Sequence, residues 1–310
     1  MRKFDLIVIG ELNVDLIITG DDIVPEFGQR EKLVDDVSLV AGSSSAIFAC
    51  QAGKLGLRTL YIGKVGDDDF GRFMVRALAE SGVDTSAIIL DKSVKTGISV
   101  ILSLGKDRSI LTHLGSIAAL RAEEIDLSIL QQARHLHVAS YFLQKGIQKD
   151  LPDIFAEAKV HGLTTSLDTN WDPDGRWDGI LPKILEHVDV FLPNEDEIRY
   201  ISGQADLEKA MAELARRIPI VVVKMGAAGA MAQTGDRVVR CEPLPVEVVD
   251  TTGAGDSFDA GFLYGYLNNL PLAESLQLGC ICGALSTTKV GGTSGQPTLR
   301  ELKKILEKFP

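Results

Sequence analysis

A carboxylate placed just after a glycine-rich turn, where the chain enters a helix, has two uses for chemistry. It can take a proton from a hydroxyl, and the neighbouring backbone N–H groups can hold an anion. The stretch Asp250-Thr251-Thr252-Gly253-Ala254-Gly255-Asp256 has this layout, followed by an apolar-periodic segment reaching about Leu270. A helix leaves its first N–H groups unpaired and its dipole favours negative charge there. Side chains as small as Gly253, Ala254 and Gly255 let a phosphate approach those groups closely. Asp256 is then a candidate base for phosphoryl transfer to a hydroxyl, with the three N–H groups as charge stabilisers. The simpler reading of an isolated Gly-Ala-Gly-Asp is a tight turn with a capping aspartate.

Other residues of suitable type stand at the ends of strand-like runs. Phe4 to Gly10 reads as a buried strand, and Asn13 and Asp15 follow it two apart, able to face one side and bind hydroxyls, or simply to form a turn. Gly42 and Ser43 open a helix running to about Leu55, where serines are also ordinary caps. Ser140-Tyr141 ends a strand over Ala133–Ala139, and Asp168 and Asn170 end another over Thr164–Asn170. Asn194 and Glu197 begin an acidic helix start, and Lys224, Gly226 and Gly229 follow a buried strand, Ile218 to Val223. Helices are expected over Glu123–Gln132 and Ile147–His161. His135 and His137 read as packed or exposed rather than catalytic. Asp67 to Asp69 read as a solvated acidic helix start and not a metal site.

The string Asp-Thr-Thr-Gly-Ala-Gly-Asp-x-Phe resembles the C-terminal signature of the ribokinase-like (PfkB) sugar kinases. It is distinct from a Walker A loop, whose Gly-x-x-x-x-Gly-Lys-[Ser/Thr] pattern is absent from the chain. The resemblance runs nearly the full length. Gly63-Lys64-Val65-Gly66-Asp67-Asp68 matches a family stretch, Asn194 and Glu197 match its Asn-x-x-Glu element, and Lys224 to Gly229 match its nucleotide loop. It implies Asp256 as base and Asn13, Asp15, Gly42, Ser43, Ser140 and Asn170 around the acceptor. It implies Asn194, Lys224, Gly226, Gly229, Gly253 and Gly255 along ATP, and Glu197 organising Mg²⁺ through water. Asp250 and Thr252, with a loop near Lys289–Pro297, are implied at a monovalent cation such as K⁺. Three positions depart from the family pattern. Ala41 replaces a Gly, Ala46 a sugar-contacting Asn, and Asp172 an Arg. Loss of that Arg tilts the expectation toward a neutral acceptor.

The elements that must position these residues alternate between helix and strand, implying a mainly parallel α/β sheet flanked by helices. Residues within about 16–40, short on helical periodicity, and 96–113 read as strands; the resemblance implies that they form a small β lid, and its apolar residues suggest a homodimer through the lid. One domain over residues 1–310 is expected, since no repeat or Pro/Gly/Ser-rich linker divides the chain. The net charge of −11 argues against nucleic acid and anionic membrane as partners. No apolar run is long enough to span a bilayer, no signal peptide is visible, and four scattered cysteines suit a reducing cytoplasm. Cys280 and Cys282 read as buried packing. The expected activity is ATP-dependent phosphorylation of a hydroxymethyl group on a monosaccharide or polyol. A nucleoside kinase would want a stacking aromatic in the lid, and Trp and Phe are scarce there. A non-catalytic sugar or nucleotide sensor would want a lost base, and Asp256 is present. An NAD-linked dehydrogenase lacks its Gly-x-Gly-x-x-Gly, since Gly10-Glu11-Leu12 follows the first strand.

Overall fold

The first strand, β1 (Phe4–Ile9), is apolar on both faces and buried on both, as a central parallel strand must be. Ile7 and Ile9 point into one core layer, and Leu6 and Val8 into the other. A computed structural model of the chain describes residues 2–104, 107–177 and 179–307. Its further strands are β2 (Asn13–Thr19), β3 (Asp36–Ala41), β4 (Thr59–Gly66), β5 (Asp84–Asp91), β6 (Gly97–Leu104) and β7 (Asp107–His113). They are followed by β8 (Ala133–Val138), β9 (Thr164–Leu167), β10 (Val190–Phe191), β11 (Ile220–Lys224), β12 (Ala230–Thr234) and β13 (Arg237–Cys241). The helices are α1 (Ser44–Lys54), α2 (Asp69–Glu80), α3 (Leu151–Val160), α4 (Leu181–Leu185) and α5 (Glu195–Ser202). Then come α6 (Leu207–Leu214), α7 (Ala254–Leu267), α8 (Leu272–Ser286) and α9 (Leu299–Leu306).

The large sheet runs β13-β12-β11-β10-β9-β8-β1-β4-β5, parallel except for its β12 and β13 edge. Helices α3 to α6 cover the face shared by Ile7 and Ile9, and α1, α2, α7 and α8 cover the other. After β1 the chain builds outward through β4 and β5, then returns to place β8 on the opposite side. The crevice between β1 and β8 is therefore a switch point, where ligands of open α/β sheets bind.

The small sheet has order β3-β2-β6-β7 and is built from two stretches of chain, residues 13–41 and 97–113. Its register separates two faces. Asp15, Ser99 and Ile101 share the face turned toward the crevice, and Leu16, Leu39, Val100 and Leu111 share the opposite one. The hairpin between β6 and β7 includes residues 105 and 106, which lie outside the described residues, among them the Lys106 of the expected hairpin.

Three expected elements differ. Residues 123–132 form short 3₁₀ turns (Ala122–Glu124 and Leu127–Gln132), because Asp126 accepts the Ser128 N–H and Ile125 is extended between them. The helix expected from Ile147 begins at Leu151 with Pro152 in its first turn, after a separate 3₁₀ turn. The strand expected to reach Asn170 ends at Leu167, and Asn170 itself adopts φ 53°. Asp68 is not simply solvated. It caps α2 and accepts from the Thr96 N–H and hydroxyl at 2.9 and 2.7 Å, tying the helix start to the small sheet.

Candidate active site

The carboxyl ends of β1, β8, β9 and β11 deliver Glu11, Ser140, Asp168 and Lys224 to the crevice, and α7 starts above them. Across the switch point the Ser140 hydroxyl donates to Glu11 Oε1 at 2.8 Å. The Ser43 and Ser45 hydroxyls donate to the same carboxylate at 3.0 and 2.5 Å. Ser43, Ser140 and Asn170 all have positive φ, of 73°, 51° and 53°. Such backbone is uncommon outside glycine, and its concentration here marks a place where geometry has outweighed local comfort.

Two cavities meet at the start of α7. A polar one of about 240 Å³ lies beneath the small sheet, lined by Asn13, Asp15, Ser43, Arg108, Gly253 and Asp256 among others. The Asn13 amide donates to Asp15 Oδ1 at 2.9 Å, so the two side chains share one face of β2 as their spacing requires. Gly42 is packed against them. A Cβ there would stand 2.3 Å from Asp15 Oδ1 and 2.6 Å from the Asn13 amide nitrogen. Burial pushes the Asp15 carboxyl up to about 6, although the Asn13 amide and Arg108 favour its charge. The second cavity, of about 320 Å³, is mostly apolar and lined by Gly226, Gly229, Leu244, Val246, Phe258 and Ala284 among others.

Asp256 borders the polar cavity and Gly255 the apolar one, so the turn from Gly253 to Asp256 is the wall they share. Gly253 has φ 72°, and a Cβ on it would lie 2.7 Å from Ile47 and 2.9 Å from Gly292, so both conformation and space demand glycine. The Ala254 N–H donates to the Thr251 carbonyl at 3.3 Å. Burial pushes the Asp256 carboxyl up to about 7, helped by the charge of Asp168 and opposed by Lys224 and the Ser44 hydroxyl. Ser44 accepts from the Asn170 amide at 2.8 Å, and Asn170 Oδ1 accepts from the Ser140 N–H at 2.9 Å. Asn170 thus stands behind the cavity wall and orients residues that face it.

Asn194 and Glu197 form a capping box on α5. The Asn194 side chain accepts from the Asp196 and Glu197 N–H groups, and Glu197 accepts from the Asn194 N–H at 2.8 Å. Glu197 is nonetheless buried, and burial followed by the Asp168 charge pushes it up to about 7. Lys224 borders the apolar cavity with its ammonium turned to Asp168 at 2.7 Å and Asp259 at 3.0 Å. Asp250 accepts from the Thr252 N–H and hydroxyl and from the Gly291 N–H, at 2.9, 2.7 and 2.8 Å. That brings together the turn and the late loop paired in the sequence reading.

Glu11, Ser44, Ser99 and Arg108 were not singled out, yet all four line the polar cavity. Glu11 could have been found as a carboxylate directly after the first buried strand. Arg108 carried no signal, because only strand pairing brings its guanidinium to the Thr252 hydroxyl at 3.2 Å. Of the three departures, Ala46 is buried in α1. Asp172 accepts three N–H groups of its own loop, from Asp174, Arg176 and Trp177, outside the lining of the polar cavity. His135 and His137 are fully buried, both hydrogen-bonded to Ser166, and burial holds both well below the usual histidine range. All four cysteines are free.

The large, mostly parallel sheet flanked by helices, with a small second sheet, has the ribokinase-like fold of solved relatives. The profile of the pfkB family carbohydrate kinases matches residues 3–299. A fructokinase of Klebsiella pneumoniae is 34% identical, covering 86% of this chain and 91% of its own. A 5-dehydro-2-deoxygluconokinase of Geobacillus kaustophilus is 29% identical, covering 99% and 94%. A candidate ribokinase II of E. coli, solved in complex with ATP and Mg²⁺, superposes with a TM-score of 0.86 at 26% identity, covering 98% and 99%. The chain belongs to the pfkB family of carbohydrate kinases.

Proposed function

We propose that the protein transfers the γ-phosphoryl group of ATP to a hydroxymethyl group of a monosaccharide or related polyol, with Asp256 as general base. The observation that carries this is the position of Asp256 on the wall between the two cavities. The acceptor lies in the polar cavity, its hydroxyls met by Asn13, Asp15, Ser43 and Ser140. Asp256 takes the proton of the attacking hydroxyl. The N–H groups at Gly253 and Gly255 hold the developing charge, joined by that of Ala254 when it turns from its long 3.3 Å bond to the Thr251 carbonyl, so the protein supplies position and charge stabilisation. The nucleotide lies along Gly226 and Gly229 in the apolar cavity, with Asn194 at its phosphate end. Glu197 would hold Mg²⁺ through water: it is a buried carboxylate facing the Asp168 and Asp256 charges, and no group of three ligand side chains among the described residues would cage the ion directly. When bound, that ion neutralises triphosphate charge. The meeting of Asp250 and Thr252 with the Gly291 loop supports a monovalent cation such as K⁺.

A nucleoside acceptor finds no support in the polar cavity, where no aromatic ring lies among the described lining residues for a base to stack on. Arg108 gives that cavity a cation which the departure at Asp172 had appeared to remove, so sugar acids stand beside neutral sugars as acceptors. The apolar outer face of the small sheet supports a homodimer formed through the lid. One domain with this lid and a reducing cytoplasmic setting complete the reading. The test is ADP release measured against sugars, polyols, sugar acids and nucleosides, with Asp256→Asn alongside. Turnover on one acceptor, reduced by about 10²–10⁴ in the variant, is expected. Equal slow ADP release with every acceptor, unchanged in the variant, would leave a sensor.

A further inference from the structure

Lys224 ends β11 with its side chain inside the protein, and its side-chain exposure is 12%. Its ammonium reaches Asp168 at the end of β9, at 2.7 Å, and Asp259 on α7, at 3.0 Å. Both carboxyls are almost completely buried. The first turn of α7 lies above them, since a Cβ on Gly255 would stand 3.6 Å from Nζ. The ammonium therefore sits beneath the first turn of α7, joining two strand ends to that helix.

Two features make this a fixed arrangement. Swinging Nζ out toward a ligand would leave two buried carboxyls without their cation, and an uncompensated buried charge costs about 3–5 kcal/mol. The protonation of the cluster fits the same picture. Burial holds the proton on Asp259, well above the usual carboxylate range. Burial acts the same way on Asp168, but the Lys224 charge and hydrogen bonds outweigh it and keep that group ionised. Asp259 also lies three residues after Asp256, so both project from the same side of α7 one turn apart. Pinning Asp259 fixes the rotation and height of the helix, and with them Asp256 and the N–H groups of Gly253 to Gly255.

We propose that Lys224 is a positioning residue, a buried clasp that sets α7 against the ends of β9 and β11, and not a ligand of the nucleotide phosphates. The inference rests on the kinase reading for its effect on turnover, but the clasp itself has a readout that needs no acceptor. In Lys224→Met, turnover at saturating ATP is expected to fall at least about tenfold while the affinity for ADP with Mg²⁺ stays within about twofold. In Lys224→Met/Asp168→Asn the buried charge is matched again and the asparagine amide can donate to Asp259. Most of the lost turnover is expected to return. Amide hydrogen exchange over Gly253–Asp259 is expected to speed up about tenfold in the single variant and to slow again in the double.

Loss of ADP affinity with turnover preserved would overturn the proposal and make Lys224 a phosphate ligand. A double variant that regains thermal stability but not turnover would also overturn it, leaving Lys224 a merely structural residue. If the single variant fails to fold, the double is compared with the parent, and unchanged ADP affinity with near-parent exchange over α7 is expected. Faster exchange there with normal stability would count against the clasp. A parent protein with no turnover on any acceptor would remove the kinase reading, while the exchange measurement would still decide the clasp.

Discussion

At the residue scale the account rests on the carboxyl of Asp256 and on the space in front of it. A base must lose its proton before it can work, and burial moves Asp256 from the ordinary 3.8 to about 7. Turnover per unit of bound acceptor is therefore expected to rise about tenfold per pH unit below 7 and to level off above it. The same shift has a consequence for stability. The folded state keeps a proton that the unfolded state has lost between about pH 4 and 7. This contribution is fully present below the unfolded value and is lost as pH rises through 7. Asp256→Asn is accordingly expected to be more stable than the parent above pH 7, on the order of 4 kcal/mol, with the gain fading toward pH 4. Chemical denaturation at several pH values measures it. At Gly42, where a methyl group would meet Asp15 and Asn13, Gly42→Ala is expected to raise KM for the acceptor. KM for ATP should stay unchanged, since Gly42 is away from the apolar cavity. The cost should be about 1–3 kcal/mol of acceptor binding, read from steady-state kinetics with each substrate varied in turn.

At the element scale the small sheet has two jobs divided by its pleat. One face presents Asp15, Ser99 and Ile101 to the polar cavity, and the other presents Leu39 and Leu111 outward. Leu111 is 64% exposed, and with Leu39, Leu16 and Val100 across the sheet it forms a contiguous apolar row of the kind that marks a protein contact. Sedimentation at micromolar concentration is expected to give a dimer for the parent and a monomer for Leu39→Glu/Leu111→Glu. A monomeric parent would contradict the lid-to-lid contact. Much of this scale was legible in the sequence. The lack of helical periodicity marked the strands of the small sheet, continuous apolar runs marked β1 and β11, and Gly-Ala-Gly-Asp marked the start of α7. The 3₁₀ turns near Ile125 were not legible, because local Asx capping decided them against a helical apolar pattern. Arg108 was not legible as a site residue for a different reason. Its role depends on which strands lie side by side, and no local pattern encodes that.

At the scale of the whole molecule, the order of the strands does the assembling. Building outward from β1 to β5 and then returning on the far side to β8 opens one crevice. The strand ends around it contribute Glu11, Ser140, Asp168 and Lys224, which are separated by up to 213 residues of chain between Glu11 and Lys224 (224 − 11). α7 then lays its N-terminus over that crevice and divides it into the two cavities. The central claim is that a hydroxyl in one cavity receives a phosphoryl group from the other across Asp256. The most direct measurement is the ³¹P spectrum of the product formed from ATP and the acceptor that turns over, with the parent and with Asp256→Asn. A phosphomonoester signal split by methylene protons is expected, formed by the parent and almost absent with the variant. Inorganic phosphate alone from the parent, or equal phosphomonoester from both proteins, would contradict it.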